Sequence, residues 1–262
     1  MILDNLVAAS QKNVAADKES ISLETMKARA LAVPSLTDFP FEKQLAKPGL
    51  SFICEVKRAS PSKGLIAPDF PYLDIAKEYE KAGTAAISVL TERDYFQGSV
   101  QYLQEIAQAV QTPVLRKDFI IDAYQIYEAK AMGAAAILLI CAVLDDSRLT
   151  AFLALADSLG LSVLTEAHDA EEIRRAVAAG ARVIGVNNRN LKDFTVSLDT
   201  SCRLRPLVPD HILFVAESGI KTPADTARLR AHGVDAVLIG ETLMRSSDKK
   251  EMLQQLAGLH HD

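Results

Sequence analysis

Residues 112–133 read TPVLRKDFIIDAYQIYEAKAMG, and they hold one complete unit of an architecture. Pro113 opens a short apolar run, and three consecutive charges, Arg116, Lys117 and Asp118, end it. A helical pattern follows and stops at Gly133. This reads as a buried strand, a loop at its C-terminal end, and a helix closed by a glycine. The unit recurs in both directions. Short apolar runs lie near 51–56, 84–90, 113–116, 135–140, 161–165, 182–186, 212–216 and 234–239. Helical patterns separate most of them, among them 71–83, 100–110, 123–133, 147–160, 170–180 and 223–233. Eight such beats with near-continuous apolar strands favour an α/β fold, a closed (β/α)8 TIM barrel. An open doubly wound sheet is the competing arrangement. A dinucleotide-binding sheet would carry a Gly-rich fingerprint after its first strand, and CEVKRASPSKG (54–64) has none.

Before the first strand, residues 2–16 and 23–32 carry apolar positions at helical spacing, and 34–49 closes the segment with proline and glycine punctuation. The expected organisation is an N-terminal helical extension over 1–48 and a catalytic barrel over 49–262, one structural domain overall. At 262 residues, about half of them hydrophobic, the chain suits one large core. The net charge of −5 and the absence of any basic block argue against a nucleic-acid partner. Cys54, Cys141 and Cys202 are scattered, without the spacing of a disulfide framework or thiolate zinc site. The N-terminal stretch lacks the pattern of a secretion signal, and no run is long enough to span a membrane. A cytoplasmic protein is expected.

In such a barrel the chemistry sits at the C-terminal strand ends. Side chains alternate along a strand, so residues two apart share a face. An apolar residue deep inside is followed by a charged or polar one at the rim on five strands: Ile53 then Glu55 and Lys57, Leu115 then Lys117, Leu164 then Glu166, Gly185 then Asn187 and Arg189, and Val215 then Glu217. Lysines facing carboxylates around one opening can hold an acid and a base in opposite protonation states. The glycines after strands 7 and 8, Gly219 beside Ser218 and Gly240 before Glu241, suit a phosphate grip. Arg189 and Lys57 can add charge from the side. Phe96 and Phe119 fall where an aromatic can stack on a planar ring. For His168, helix capping, surface placement and a site role compete evenly. His211 and His232 read as structural, and His260 and His261 lie in the C-terminal tail. Tyr72, Tyr79, Tyr124 and Tyr127 read as packing residues on helices. Without converging histidines or cysteines, no metal is required.

The segments CEVKRASPSKG, SVLTERDYFQGS, VLRKDFI, LTEAH, GVNNRNL, AESGI and VLIGETLM, in that order, resemble the indole-3-glycerol phosphate synthase family of tryptophan biosynthesis. The resemblance implies a carboxy-lyase that needs no cofactor and no metal. Its substrate is 1-(2-carboxyphenylamino)-1-deoxyribulose 5-phosphate, closed to an indole with loss of carbon dioxide and water. By the same resemblance Lys117 is the general acid and Glu166 the general base of dehydration. Glu55 is a second essential carboxylate, assigned either to proton transfer or to orienting the lysines. Lys57 binds the substrate carboxylate and can share acid work. Asn187 and Arg189 contact substrate hydroxyls, Ser218 and Glu217 make polar contacts, and Phe96, Phe119 and Leu238 wall the anthranilate ring. Ser60, Gly219, Gly240 and Glu241 fall at phosphate-binding positions, Glu241 through its backbone N–H alone. The resemblance is compatible with a monomer and with family-dependent association with other enzymes of the pathway. It also places the N-terminal extension over the barrel mouth. Periodicity alone leaves two other places open, a plug at the barrel bottom and a contact between chains. The rivals are phosphoribosylanthranilate isomerase, which uses a cysteine and an aspartate, and a barrel that binds a phosphometabolite without catalysis. Against the first, parity turns Cys54 toward the helices; against the second, simple binding does not need two opposed acid–base types.

Overall fold

A computed structural model describes residues 2–35, 37–190 and 193–258. Eight strands, β1 (Ser51–Val56), β2 (Ala86–Leu90), β3 (Val114–Lys117), β4 (Ala136–Ile140), β5 (Ser162–Ala167), β6 (Val183–Asn187), β7 (Leu213–Glu217) and β8 (Ala236–Ile239), match the eight apolar runs to within two residues at either end. Each pairs in parallel with its sequence neighbours, and β1 pairs with both β2 and β8, which closes the barrel. The open-sheet alternative is thereby excluded.

Closure gives every strand two buried faces, which is why the runs are nearly all apolar. Ile53, Leu115, Leu164, Val215 and Leu238 fill the interior, with Ala86, Ala136 and Ala236 among them. The alternate residues, including Cys54, Val89, Ile137, Val163, Ile184 and Phe214, face the helical layer. That layer consists of α4 (Tyr72–Lys81), α5 (Val100–Ala109), α6 (Ala123–Ala131), α7 (Asp146–Ser158), α8 (Ala170–Ala178), α9 (Asp199–Leu204), α10 (Pro223–Ala231), α11 (Glu241–Arg245) and α12 (Lys249–Ala257). The predicted helix over 123–133 shows how the sequence sets its ends. Asp122 and Gln125 form a capping box at the start, and Gly133 takes a φ of +87° just past the end, a conformation that costs other residues. Helices α9 and α12 carry too few residues or too weak a periodicity to stand out in the sequence.

The N-terminal segment does two of the things that periodicity left open. Helix α1 (Ile2–Ser20) lies at the mouth, tied to the loops after β2 and β3. Arg93 pairs with Asp17 at 2.6 Å, Lys18 with Asp122 at 2.7 Å, and Asn13 donates to Asp94. Helix α2 (Leu23–Ala32) packs on α6, where the buried Lys130 Nζ donates to the Pro34 carbonyl. Within 34–49, where the sequence showed only punctuation, Pro40–Leu45 forms a short helix, α3, with proline at its first turn. Its Phe41 and Leu45 are fully buried among the interior residues Ile53, Ala86 and Ala236, and so close the end of the barrel opposite the mouth. Burying Phe41 contributes about 1.5–3 kcal/mol. No described helix is long and apolar enough to cross a membrane. His260 and His261 lie outside the described residues.

Candidate active site

The C-terminal strand ends open into a cavity of about 990 Å³, and each site residue named from the sequence lines it. At its floor is an ionic cluster. The register puts Glu166 opposite Gly185 and Asn187 opposite Glu217, which brings β5, β6 and β7 to one point. Lys117, reaching across from β3, places Nζ 3.6 Å from Glu166 Oε2 and 3.4 Å from Glu217 Oε2. Glu55 and Lys57 pair at 2.6 Å on the β1 side. The three carboxylates are each less than 5 % exposed, so their charges interact through little water.

Burial alone would strip the proton from Lys117, but Glu217, Glu166 and Glu55 outweigh it and raise its pKa above the ordinary lysine value. The sequence left this balance open, since neighbouring cations such as Lys57 and Arg189 could pull the other way; the carboxylates win. Burial raises Glu166, yet Lys117, His168 and a hydrogen bond from Asn187 outweigh it and hold the carboxyl below its usual range. Glu55 is likewise lowered, by Lys57 and Lys117 acting against burial. Glu217 goes the other way: burial, reinforced by Glu166 and Glu55, raises it despite Lys117. The cluster thus contains a protonated amine, two firmly ionised carboxylates and one carboxyl that readily keeps a proton.

Two glycines make room for it. A Cβ on Gly185 would overlap Glu217 Oε1 and press on Leu164 Cδ1. A Cβ on Gly240 would overlap Glu55 Oε1 and approach Lys57 Nζ to 2.8 Å. Gly185→Ala is therefore expected to leave the fold intact, because the obstructed atom ends a flexible side chain, and to lower kcat by about tenfold by displacing Glu217. In a Glu217→Ala background the same change should add nothing further, and an additive loss in the double variant would refute the explanation.

On one side of the cluster, Phe96 and Phe119 stand 6.1 Å apart between ring centres, with Leu238 and the α1 residues Ile2 and Leu6 lining the same cavity. The Phe96 loop is fixed by a residue the sequence did not flag. Glu92 accepts hydrogen bonds from the amides of Asp94, Tyr95 and Phe96 at 3.0, 2.8 and 2.9 Å. Ser60, Gly219, Gly240 and Glu241 line the same cavity. Ser218 and Gly219 are successive residues at positive φ, +68° and +86°. A side chain there costs about 1–3 kcal/mol, and the Asn188 Nδ2 bond to the Ser218 carbonyl helps hold it. The Glu241 carboxylate contacts Lys63 at 3.5 Å and Arg245 at 3.1 Å. Arg189 donates through its backbone to Asn187 Oδ1 and through Nη1 to the Phe194 carbonyl, which braces the loop after β6.

Just outside the barrel, Arg116 and Asp118 point to the helical layer, as parity requires. Arg116 contacts Asp118 at 3.0 Å and Glu128 at 2.8 Å, and Asp118 accepts from the Phe119 amide. Cys54 is buried in that layer and its thiol is pushed up to about 12, so it offers no reactive sulfur to the cavity.

The profile of the indole-3-glycerol phosphate synthase family matches residues 3–256. Indole-3-glycerol phosphate synthase of Ruminiclostridium cellulolyticum is 54 % identical over 98 % of this chain and 99 % of its own length. That of Endomicrobium trichonymphae is 56 % identical over the same shares. Among solved structures, 3-hexulose-6-phosphate synthase from Salmonella typhimurium superposes with a TM-score of 0.66 at 14 % identity, over 80 % of this chain and 98 % of that one. At that identity the likeness is one of fold.

Proposed function

This chain belongs to the indole-3-glycerol phosphate synthase family and catalyses that family's reaction, and from that premise we propose how its side chains divide the work. The phosphate of 1-(2-carboxyphenylamino)-1-deoxyribulose 5-phosphate sits at Ser60 and the backbone amides of Gly219, Gly240 and Glu241. The carboxylate of Glu241 pairs with Lys63 and Arg245, whose charges offset its repulsion of the phosphate. The anthranilate ring lies against Phe96, Phe119 and Leu238, and Lys57 meets its carboxylate. Holding both ends folds a flexible chain so that the ring carbon bearing the carboxylate reaches the C2′ carbonyl.

As that bond forms, Lys117 gives a proton to the carbonyl oxygen. Carbon dioxide then leaves, and its bonding electrons restore the aromatic ring. In the dehydration that follows, Glu166 takes a proton from the neighbouring carbon while Lys117 protonates the departing hydroxyl. Lys117 thus donates twice per turnover. Glu217, 3.4 Å away and the carboxyl that most readily keeps a proton, is placed to restore the first one. Glu55 keeps Lys57 oriented, and Asn187, Arg189 and Ser218 contact the sugar hydroxyls. One chain supplies every group named, which supports a monomer as the working unit. A cytoplasmic location belongs to the same proposal, supported by three cysteines that are all unpaired.

The observation that carries this division is the Lys117 ammonium standing between an ionised and a protonatable carboxyl, in the cavity that the aromatic and glycine positions also line. Its test is conversion of the substrate, with no metal added, to a product with indole fluorescence. The chain contains no tryptophan, so the optical background is low. No gain in fluorescence with verified substrate would remove the assignment.

A further inference from the structure

A half-buried charged group beside Glu166, His168, has no part in the steps above. Strand β5 ends at Ala167, and the next residue, His168, turns out of the sheet behind Glu166. Its Nε2 lies 3.2 Å from Glu166 Oε1, an ion-pair contact rather than a well-aimed hydrogen bond. Its Nδ1 lies 3.1 Å from Glu172 Oε2, and the same oxygen accepts the His168 backbone N–H at 2.8 Å. Glu172 is itself fixed, in the first turn of α8, where its amide donates to the capping Asp169. The ring is therefore clamped at one nitrogen by a helix and presents the other to the active-site carboxylate.

With a carboxylate at each nitrogen, both nitrogens act as donors. Burial favours the neutral ring, but Glu166 and Glu172 outweigh it and raise the imidazole to about 10. Among the described residues, the other titratable or charged groups facing this pair are few. Lys117, Glu217 and Glu55 approach Glu166 from β3, β7 and β1. Cys141 after β4 and Arg175 on α8 lie near Glu172. With Lys117 alone, the base would have its one cation in the proton donor it must work beside. A second cation behind it lets Glu166 stay anionic without drawing the carboxylate fully onto Lys117.

We propose that His168, clamped by Glu172, is a positioning residue: an imidazolium that turns the Glu166 carboxylate into the barrel mouth and keeps it ionised as the base beside Lys117. This rests on the assignment of Glu166 as base, so the test separates the two. His168→Asn, Glu172→Gln and Glu166→Gln are compared with the parent enzyme by kcat and KM from about pH 3 to 9, low enough to reach the limb of a carboxyl held below its usual range.

Removing the imidazolium raises the Glu166 pKa. The acid limb of kcat, where the base is lost to protonation, should then move to higher pH by about one unit. At neutral pH, His168→Asn should lower kcat by about tenfold, a part of what a positioned base supplies, with KM little changed. Glu172→Gln should shift the limb the same way by less. If Glu166→Gln keeps its activity, the assignment of the base fails and the inference falls with it. If Glu166→Gln is inactive while His168→Asn retains parental kcat and pH profile, the inference alone is overturned. A loss of kcat and of thermal stability in His168→Asn with no shift of the acid limb also overturns it, because His168 would then be structural.

Discussion

Replacing Lys117 with alanine is expected to lower kcat by roughly a thousandfold while the barrel still folds, the scale of a lost general acid. In the proposed mechanism both proton deliveries to oxygen pass through this amine, and Lys57, the other lysine of the cluster, is engaged by Glu55 at 2.6 Å. The loss should fall on kcat rather than KM, since the proposed ring wall and phosphate end do not depend on Lys117. The fold should survive because the carboxylates left without their cation can bind a proton, Glu217 first. Lys117→Arg separates charge from chemistry. It restores a cation among Glu166, Glu217 and Glu55, but a guanidinium holds its proton too tightly to donate it, so kcat should stay low while thermal stability recovers. Turnover of Lys117→Ala within tenfold of the parent would show that another group is the acid.

The second large effect is on stability and lies one residue away. Arg116 is 3 % exposed and holds Asp118 and Glu128, which are nearly as buried, while its Nη1 also donates to the Gln125 carbonyl. Arg116→Met would leave two carboxylates in the helical layer without their cation, at a cost of about 3–5 kcal/mol. Each kcal/mol corresponds to about 2–4 °C in Tm for a protein near this size. Adding Asp118→Asn and Glu128→Gln should recover part of the loss, because the stranded charges are then gone. A single variant that melts with the parent would mean that these carboxylates find another partner. Activity should fall as well, since Asp118 holds the amide of Phe119 and so helps place the ring wall.

These adjacent residues show what could be read before folding. Alternation along a strand assigns Lys117 to the barrel mouth and Arg116 and Asp118 to the helices, and the structure places them so. The eight strands were legible because burial on both faces leaves a nearly unbroken apolar run. Helix α3 was not: six residues between proline and glycine carry no measurable period, and the burial of Phe41 depends on a barrel end built by distant strands. Glu92 was missed because its work is done on three backbone amides, which leave no trace in residue identity. His168 was undecided for a related reason. Its position after Glu166 suits a helix cap equally well, and only the return of α8 brings Glu172 to its ring.

The sequence by itself determined the barrel, the inward face of each strand and the family, because local periodicity and residue type record which side of an element is buried and what stands at its end. Only the tertiary structure decided the distances among Lys117, Glu166 and Glu217, the ionisation each one keeps, and the room that Gly185 and Gly240 leave for them. It also decided that α1 takes the mouth and α3 the opposite end. Those quantities depend on the register at which eight strands close, and so join residues far apart in the chain, where no local pattern can carry the information.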